Sequence, residues 1–334
     1  MFRPGKNNLI TDISGLYIGN SEDEKVKTGV TVLVSENPFT AGVKILGGAP
    51  GTRETTLLDP DKLVQKIDAI VLAGGSAFGL EAASEVCERL ANNKRGFPIG
   101  NVKVPIIPSA ILFDLTNGGN KDWQSNPYRN LGRKALESAG IEFSNGSVGA
   151  GFGALTSDLK GGLGSASIQI ENGIVVAAIV AVNSVGSATI GKEKNFWAAP
   201  FEIDEEFGGI EPINSYNSFK MHYEEITALK GQSTTLAIVA TNANINQAQA
   251  TRVASAAHAG ISRAIYPSHT PLDGDIVFAV ATNEIDTHDH ATDTMKIGNA
   301  AADCVSRSIA KAVYHAKSEK TDIIPSWSKK FNLA

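Results

Sequence analysis

The sequence predicts an α+β fold in which helices pack on the outside of β-sheets. Apolar, β-branched segments recur in hairpin-like pairs along the 334-residue chain, and such pairs form strands. Long segments with helical periodicity occur at residues 80–92, 245–265 and 295–317, and a helix that is apolar on one face buries that face against a sheet. Because neither an internal repeat nor a domain boundary is visible, we expect a single domain of residues 1–334.

The composition excludes several classes of protein. Apolar residues make up 42% and charged residues 19% of the chain, as is usual for globular proteins. The net charge is −5 and no basic stripe is present, so nucleic acid is not an expected partner. No apolar run is long enough to span a membrane and no signal peptide is visible, which favours a cytoplasmic protein. Cys87 and Cys304 have the surroundings of buried thiols rather than of a metal site or a disulfide.

The first half of the chain alternates strands with turns. Strands are predicted at residues 10–18, 29–35, 43–46 and 67–73, and helices at residues 80–92 and 128–139. Residues 102–115 contain prolines that a central strand does not tolerate, so this segment is expected at a sheet edge or a bulge.

Two glycine-rich segments interrupt these elements. Residues 47–55 form either a plain surface loop or a loop that lines a site. Residues 74–79 join a strand to a helix, as in dinucleotide-binding folds. Their G-G-x-x-x-G spacing differs from the G-x-G-x-x-G of that motif, and no acidic residue follows at the required distance. Close strand–helix packing is therefore the favoured interpretation.

A predicted hairpin brings two polar residues to one end of the sheet. Alternating serines and isoleucines within residues 159–170 and the apolar run 174–182 indicate two strands, joined by the turn at residues 171–173. Lys160 and Asn183 lie about ten to twelve residues from that turn on either side. We therefore expect them at matching ends of the paired strands.

The segment at residues 184–231 has weak periodicity and is long for a loop. Such segments are often functional. It is predicted to be either a flap over a cleft or an oligomer contact, and residues 221–229 are compatible with a helix.

The loop at residues 266–275 is the strongest candidate site. It joins the predicted helix at residues 245–265 to a buried strand at residues 276–282, and it holds Thr270 between two prolines and an Asp-Gly-Asp turn. If the bond before Thr270 breaks, the threonine gains a free α-amine that serves as its own general base, with a pKa of about 8. The alternative is an ordinary helix-to-strand loop.

Residues 283–294 are rich in His and Asp. Such residues ligate metals, but no further His or Cys set at ligand spacing accompanies them. A solvated loop is therefore favoured over a metal site.

Five segments together resemble the P1/S58 family of self-cleaving peptidases, which includes DmpA-type L-aminopeptidase/D-esterases and nylon-oligomer hydrolases. They are Gly47-Gly48-Ala49-Pro50-Gly51-Thr52-Arg53-Glu54-Thr55, Ala73-Gly74-Gly75-Ser76-Ala77-Phe78-Gly79-Leu80, Lys160-Gly161-Gly162-Leu163-Gly164-Ser165-Ala166-Ser167, Val180-Ala181-Val182-Asn183 and His269-Thr270-Pro271-Leu272-Asp273-Gly274-Asp275. The resemblance implies an αββα sandwich of the DmpA/ornithine-acetyltransferase type, similar to N-terminal-nucleophile hydrolases. It also implies a precursor that cuts itself between His269 and Thr270, giving an α piece of residues 1–269 and a β piece of residues 270–334.

The resemblance also implies roles for single residues. Thr270 becomes the nucleophile and the new N-terminus, and Asn183 donates to the oxyanion. Lys160 lies beside the threonine, where a cation favours the neutral form of its amine. Asp293, or else Asp289, orients that amine.

The function implied is that of an autoprocessed amidohydrolase or aminopeptidase that cleaves small peptide-like substrates through an acyl-Thr270 intermediate. No cofactor or metal is implied, and relatives assemble as homotetramers. DmpA-type members use a tyrosine where this chain has Phe113, which weakens a DmpA-like specificity. Two alternatives stay open: an acyltransferase of the ornithine acetyltransferase type, and an unprocessed binding protein with the same fold.

Overall fold

The computed structural model describes residues 3–212 and 233–333. In these ranges the strands are β1 (Leu16–Asp23), β2 (Thr28–Ile45), β3 (Gly51–Arg53), β4 (Lys66–Ala73), β5 (Phe97–Ile99), β6 (Val102–Val104), β7 (Ser109–Ile111), β8 (Gly162–Gln169), β9 (Val175–Asn183), β10 (Thr234–Ala243) and β11 (Ile276–Ile285). The α-helices are α1 (Glu81–Asn92), α2 (Tyr128–Glu137), α3 (Gln247–Ala264), α4 (His290–Tyr314) and α5 (Trp327–Lys330). None of these helices is both long and apolar enough to cross a lipid bilayer.

Strand β2 connects two halves of one large sheet. The strand order is β3-β7-β4-β2-β11-β10-β9-β8, with β1 also paired to β2. The first part of β2 pairs with β1 and β4, whereas residues 40–45 pair with β11. Between these parts, residues 36–38 are exposed and the register with β4 shifts. The chain thus changes partners along one strand, and this change carries it from one half of the sheet to the other.

Three hydrophobic clusters fill the spaces between four layers. The central cluster joins Leu33 and Ile70 of one half of the sheet to Ile179, Ile238 and Phe278 of the other. A second cluster packs α3 and α4 against the half formed by β8 to β11. A third packs α1 and α2 against β1, β2 and β4. The order of layers is therefore helix, sheet, sheet, helix, which confirms the expected αββα sandwich.

The predicted strands at residues 29–35 and 43–46 are parts of the single strand β2. The sequence suggested an interruption because residues 36–38 are Glu-Asn-Pro. Pro38 lies where the register shifts, and a proline is tolerated at such an irregularity because no ladder bond needs its missing N–H. The proline-rich segment at residues 102–115 contains only the short strands β6 and β7, and its prolines, Pro105 and Pro108, lie outside both. The expected edge position is wrong for β7, which lies between β3 and β4.

The described part of the long segment after β9 is packed into the molecule. Phe196 and Phe207 are buried, with ring centroids 5.6 Å apart. Phe196 also stacks on Trp327 at 5.5 Å, and Glu206 pairs with the buried Arg307 of α4. Through these side chains the described residues 184–212 cover the end of α4, while residues 191–194 are exposed. The rest of the predicted flap or oligomer contact, including the predicted helix at residues 221–229, lies outside the described residues.

Candidate active site

The Thr270 loop lies at the end of the sheet where β9 finishes and β10 and β11 begin. Strands β10 and β11 are parallel, and Asp273 forms a parallel bridge with Ser233 just before β10. Asn183, the last residue of β9, pairs with Thr234, the first residue of β10. The fold thus brings the ends of three strands together around the loop.

Thr270 is held by a carboxylate three residues further along the chain. Its hydroxyl Oγ1 donates to Asp273 Oδ2 at 2.6 Å, and its backbone N–H donates to the same oxygen at 3.0 Å. The other carboxylate oxygen, Oδ1, accepts from the backbone N–H of Val185 at 3.1 Å. Asp273 therefore ties the threonine to the chain just after β9.

A second carboxylate holds the residue before the threonine. Asp275 Oδ2 accepts from the ring Nδ1 of His269 at 2.8 Å and from its backbone N–H at 3.0 Å. His269 has a φ of 56°, a left-handed conformation that residues other than glycine adopt at a cost of about 1–3 kcal/mol. The backbone immediately before Thr270 is thus strained, and the bonds to Asp275 hold it in place.

The glycine-rich loop after β2 lies directly against this turn. The N–H of Gly48 donates to the carbonyl of Thr270 at 3.4 Å, and the N–H of Ala49 donates to the carbonyl of Asp273 at 2.8 Å. A Cβ on Gly48 would lie 2.7 Å from the Cα of Pro271, closer than non-bonded carbon atoms pack. Of the two interpretations of residues 47–55, the structure supports a loop that lines the candidate site.

Asn183 is buried and its amide is fixed at both ends. Its Oδ1 accepts from the backbone N–H of Leu155 at 3.0 Å, and its Nδ2 donates to the carbonyl of Phe113 at 3.1 Å. An amide nitrogen carries two N–H groups, and the bond to Phe113 uses one of them. The hairpin places Lys160 at the matching strand end, because Gly162 pairs with Val182.

The ammonium group of Lys160 pairs with a residue of the C-terminal tail. Lys160 Nζ lies 3.0 Å from Asp322 Oδ2, and Lys27 Nζ lies 2.7 Å from Asp322 Oδ1. Burial opposes ionisation of Asp322. The backbone N–H of Glu319 and the two ammonium groups outweigh that effect, so the pKa of Asp322 lies below its ordinary value. The expected contact of Lys160 with the threonine stays a prediction, since the described partner of its ammonium is Asp322.

The electrostatics of the loop are set mainly by burial. Burial and the neighbouring charge of Asp275 raise the pKa of Asp273 above its ordinary range. Burial lowers the pKa of His269, but the hydrogen bond to Asp275 outweighs it, so that this pKa is raised. His258 of α3, whose ring lies 4.9 Å from that of His269, is desolvated, and its pKa is lowered to about 4.

The structure does not bring Asp289 and Asp293 to Thr270. Strand β11 has 10 residues, and at about 3.3 Å per residue its two ends lie about 30 Å apart. Thr270 precedes this strand, whereas both aspartates follow it. Asp289 caps α4, accepting from the N–H groups of Ala291 and Thr292, and Asp293 accepts from the N–H groups before the helix. Their expected role beside the amine is therefore corrected to that of bonds at the start of α4.

Asp273 and Asp275 belong to a segment that carries the family resemblance, but no role was predicted for them. The available signal was the spacing, because an aspartate three residues after a threonine reaches the backbone and hydroxyl of that threonine in a tight turn. Asp322 gave no such signal, since the two lysines that it pairs with lie more than a hundred positions away in the sequence.

The four-layer fold is similar to that of solved aminopeptidases with an N-terminal-nucleophile-hydrolase fold. A Burkholderia β-aminopeptidase structure superimposes with a TM-score of 0.72 at 22% identity, covering 100% of this chain and 94% of that one. The L-aminopeptidase D-Ala-esterase/amidase of Ochrobactrum anthropi, described as a new variant of this hydrolase fold, gives a TM-score of 0.71 at 20% identity, covering 99% and 93%.

The model for Peptidase family S58 matches residues 8–322. An uncharacterized aminopeptidase of Mycobacterium leprae is 37% identical over 341 residues, covering 93% of this chain and 91% of the relative. A 6-aminohexanoate-oligomer endohydrolase of Paenarthrobacter ureafaciens is 28% identical over 294 residues, covering 84% and 77%. The chain belongs to Peptidase family S58 and is a hydrolase of the peptidase class.

Proposed function

We propose that this protein is an N-terminal-threonine amidohydrolase that generates its own nucleophile by cutting the bond between His269 and Thr270. The α piece of residues 1–269 and the β piece of residues 270–334 then stay together as one active protomer. The proposed substrates are small peptides or peptide-like amides, cleaved through an acyl-Thr270 intermediate.

The observation that carries the proposal is the setting of the His269–Thr270 bond. On one side of the bond lies a residue with strained backbone, and on the other lies a hydroxyl bonded to a buried carboxylate. Cleavage removes the constraint on His269 and leaves Thr270 six residues before β11, a strand that is buried in the sheet. In the β piece, β11 pairs in the centre of the sheet and α4 packs in the outer helical layer, and we expect both sets of contacts to persist after the cut.

The proposed reaction uses groups at this sheet end. The free α-amine of Thr270 takes the hydroxyl proton as Oγ1 attacks the substrate amide. Asn183 donates an N–H to the oxyanion that develops on the substrate carbonyl, a contribution worth about 3–4 kcal/mol in similar sites. The amine returns its proton to the leaving nitrogen, and water then releases the acyl group from Thr270.

Intact mass and N-terminal sequencing of the purified protein test the proposal. The expected result is two chains, one of which begins Thr-Pro-Leu-Asp, and a single uncut chain from Thr270→Ala. Thr270→Ser, which keeps a hydroxyl, should still cut. A wild-type chain that stays whole after long incubation while it hydrolyses amides would contradict the proposal.

The same material distinguishes the two alternatives. An acyltransferase would form an acyl-amine product when an amine such as ornithine is added, whereas the proposed hydrolase should release free acid at an unchanged rate. A binding protein would neither cut itself nor hydrolyse a panel of small amides.

We infer in addition that cleaved protomers form a homotetramer, as the family resemblance implies, and that the protein is cytoplasmic. Light scattering on the purified protein measures the mass of the assembly and so tests the homotetramer. A mass near that of one 35.1 kDa chain would contradict it.

A further inference from the structure

We propose that Asp273 is the proton carrier of the self-cleavage, taking the proton from the Thr270 hydroxyl and delivering it to the Thr270 nitrogen. This inference rests on the proposed function and assigns the cleavage step a catalytic residue. The free α-amine cannot act as the base in this first cut, because until the bond breaks that nitrogen belongs to a peptide bond.

The geometry of one oxygen atom carries the inference. A cut by hydroxyl attack removes a proton from Oγ1 and supplies one to the departing nitrogen, so a single proton carrier must reach both atoms. Asp273 Oδ2 lies 2.6 Å from Thr270 Oγ1 and 3.0 Å from Thr270 N. Both distances are within hydrogen-bond range, so one carboxylate oxygen lies next to both atoms, and the nitrogen has only to turn its lone pair towards that oxygen as its bond to carbon breaks.

The carboxylate is also held in this orientation. Its Oδ1 accepts from the N–H of Val185, and the side chain is almost fully buried, with 1% of the residue exposed. The carboxylate is therefore shielded from bulk water. Asp275, the nearest other carboxylate, is bound to His269 and to the backbone N–H of Thr235, and its described contacts do not include Thr270.

Among the described residues, the charges that act on the Thr270 loop come from the loop itself and from α3. Asp275 and His269 belong to the same loop, and His258 of α3 lies behind His269. Burial and the charge of Asp275 raise the pKa of Asp273, which makes its carboxylate a stronger base than that of an ordinary aspartate.

The proposed step conserves atoms and protons. Oγ1 of Thr270 forms a bond to the carbonyl carbon of His269 as its proton passes to Asp273, and the carbonyl oxygen takes the electron pair. The oxygen then returns its electron pair to re-form the carbonyl, the carbon–nitrogen bond breaks, and the Thr270 nitrogen takes the proton from Asp273. This leaves an ester and a free amine. Water hydrolyses the ester, which frees the His269 carboxylate and restores the Thr270 hydroxyl, and Asp273 ends unchanged.

The test is the rate of self-cleavage as a function of pH. The full chain is unfolded in denaturant, refolded at a series of pH values and followed on denaturing gels. In wild type the rate should fall as the pH is lowered through the titration of Asp273. Asp273→Asn should cut at least about a hundredfold more slowly and show no such fall. Asp273→Glu should restore part of the rate.

Two variants separate this role from a structural one. His269→Asn removes the other titrating group beside the bond and tolerates a left-handed φ, so it should keep the acid-side fall in rate. Asp275→Asn removes the charge that raises the pKa of Asp273, so the fall should move to lower pH. This second variant decides the question even if Asp273→Asn does not fold.

The outcomes are distinguishable. If wild type cuts and Asp273→Asn cuts at the same rate or keeps the acid-side fall, the proton-carrier role is overturned while the proposed function stands. An acid-side fall that is unmoved in Asp275→Asn overturns it as well. If the wild-type chain never cuts, the proposed function fails and the role of Asp273 fails with it.

Discussion

Lys160 and Asp322 form a buried ion pair, with Nζ and Oδ2 3.0 Å apart, that joins residues from the two sides of the proposed cleavage point. Lys27 binds the second oxygen of the same carboxylate. Both lysines belong to the proposed α piece and Asp322 to the β piece. After the cut, this contact becomes one that holds two separate chains together.

Asp322→Asn should therefore destabilise the protein strongly. The substitution leaves two buried ammonium groups without their counter-charge, and loss of one partner of a buried pair costs about 3–5 kcal/mol. Urea unfolding measures the change in free energy. The matched control is Glu137→Gln, which breaks the exposed pair with Arg133 and should cost less than about 0.5 kcal/mol. Equal losses of unfolding free energy in the two variants would contradict the stabilising role of the buried ion pairs of Asp322.

His258 should make stability depend on pH. Its pKa falls from 6.5 to about 4 in the folded state, chiefly because of burial. Between these pH values the unfolded chain binds more protons than the folded one, so stability decreases as the pH is lowered, by about 3 kcal/mol in total. Above pH 6.5 this group contributes no pH dependence. Urea unfolding of wild type and His258→Gln between pH 7 and 4 isolates the effect, because groups such as Asp273 act in both proteins. If the unfolding free energies of wild type and His258→Gln changed with pH in the same way, the lowered pKa of His258 would be contradicted.

Gly48→Ala should slow self-cleavage while the hydrophobic core stays intact. A Cβ there would lie 2.7 Å from Pro271 Cα and 2.8 Å from the Pro271 carbonyl oxygen, so the Thr270 loop must shift. Misplacement of reacting groups by about 1 Å can cost about a hundredfold in rate, and we expect a loss between tenfold and that value. Gly140→Ala is the control, since the nearest atom to its Cβ is 3.9 Å away. Rates are measured on refolded chain, and a wild-type rate for Gly48→Ala would contradict the close contact.

Asn183→Asp should reduce amide hydrolysis by cleaved enzyme by about a hundredfold or more, because a carboxylate cannot donate to the oxyanion. The aspartate side chain still provides an oxygen that accepts from the backbone N–H of Leu155. Asn242 is the matched control. Its amide also bridges two backbone groups, those of Val175 and Gly173, at the opposite end of the sheet. Asn242→Ala should lower stability and leave the turnover rate unchanged. Similar turnover rates in wild type and Asn183→Asp would contradict the proposed role of Asn183 as a donor to the oxyanion.

Much of the fold was predictable from local pattern. The apolar run that became β9 and the helical periodicity that became α3 and α4 are each determined by residues close together in the chain. The turn at residues 171–173 fixed the register of the hairpin, so the matching positions of Lys160 and Asn183 follow from residue spacing alone. The interruption expected within β2 was wrong, because pairing with β4 and β11 kept residues 36–38 extended against their local preference.

The candidate site divides in the same way. The sequence by itself determined that a threonine stands between a helix and a buried strand, in a turn rich in Asp and Gly, since those are properties of ten consecutive residues. Only the tertiary structure decided which charges surround it. In the folded chain, Lys160 pairs with Asp322, which lies 162 positions further along the sequence. Asp289 and Asp293 lie the length of β11 away from Thr270. Contacts between distant residues depend on the path of the whole chain through four packed layers, and local periodicity does not encode that path.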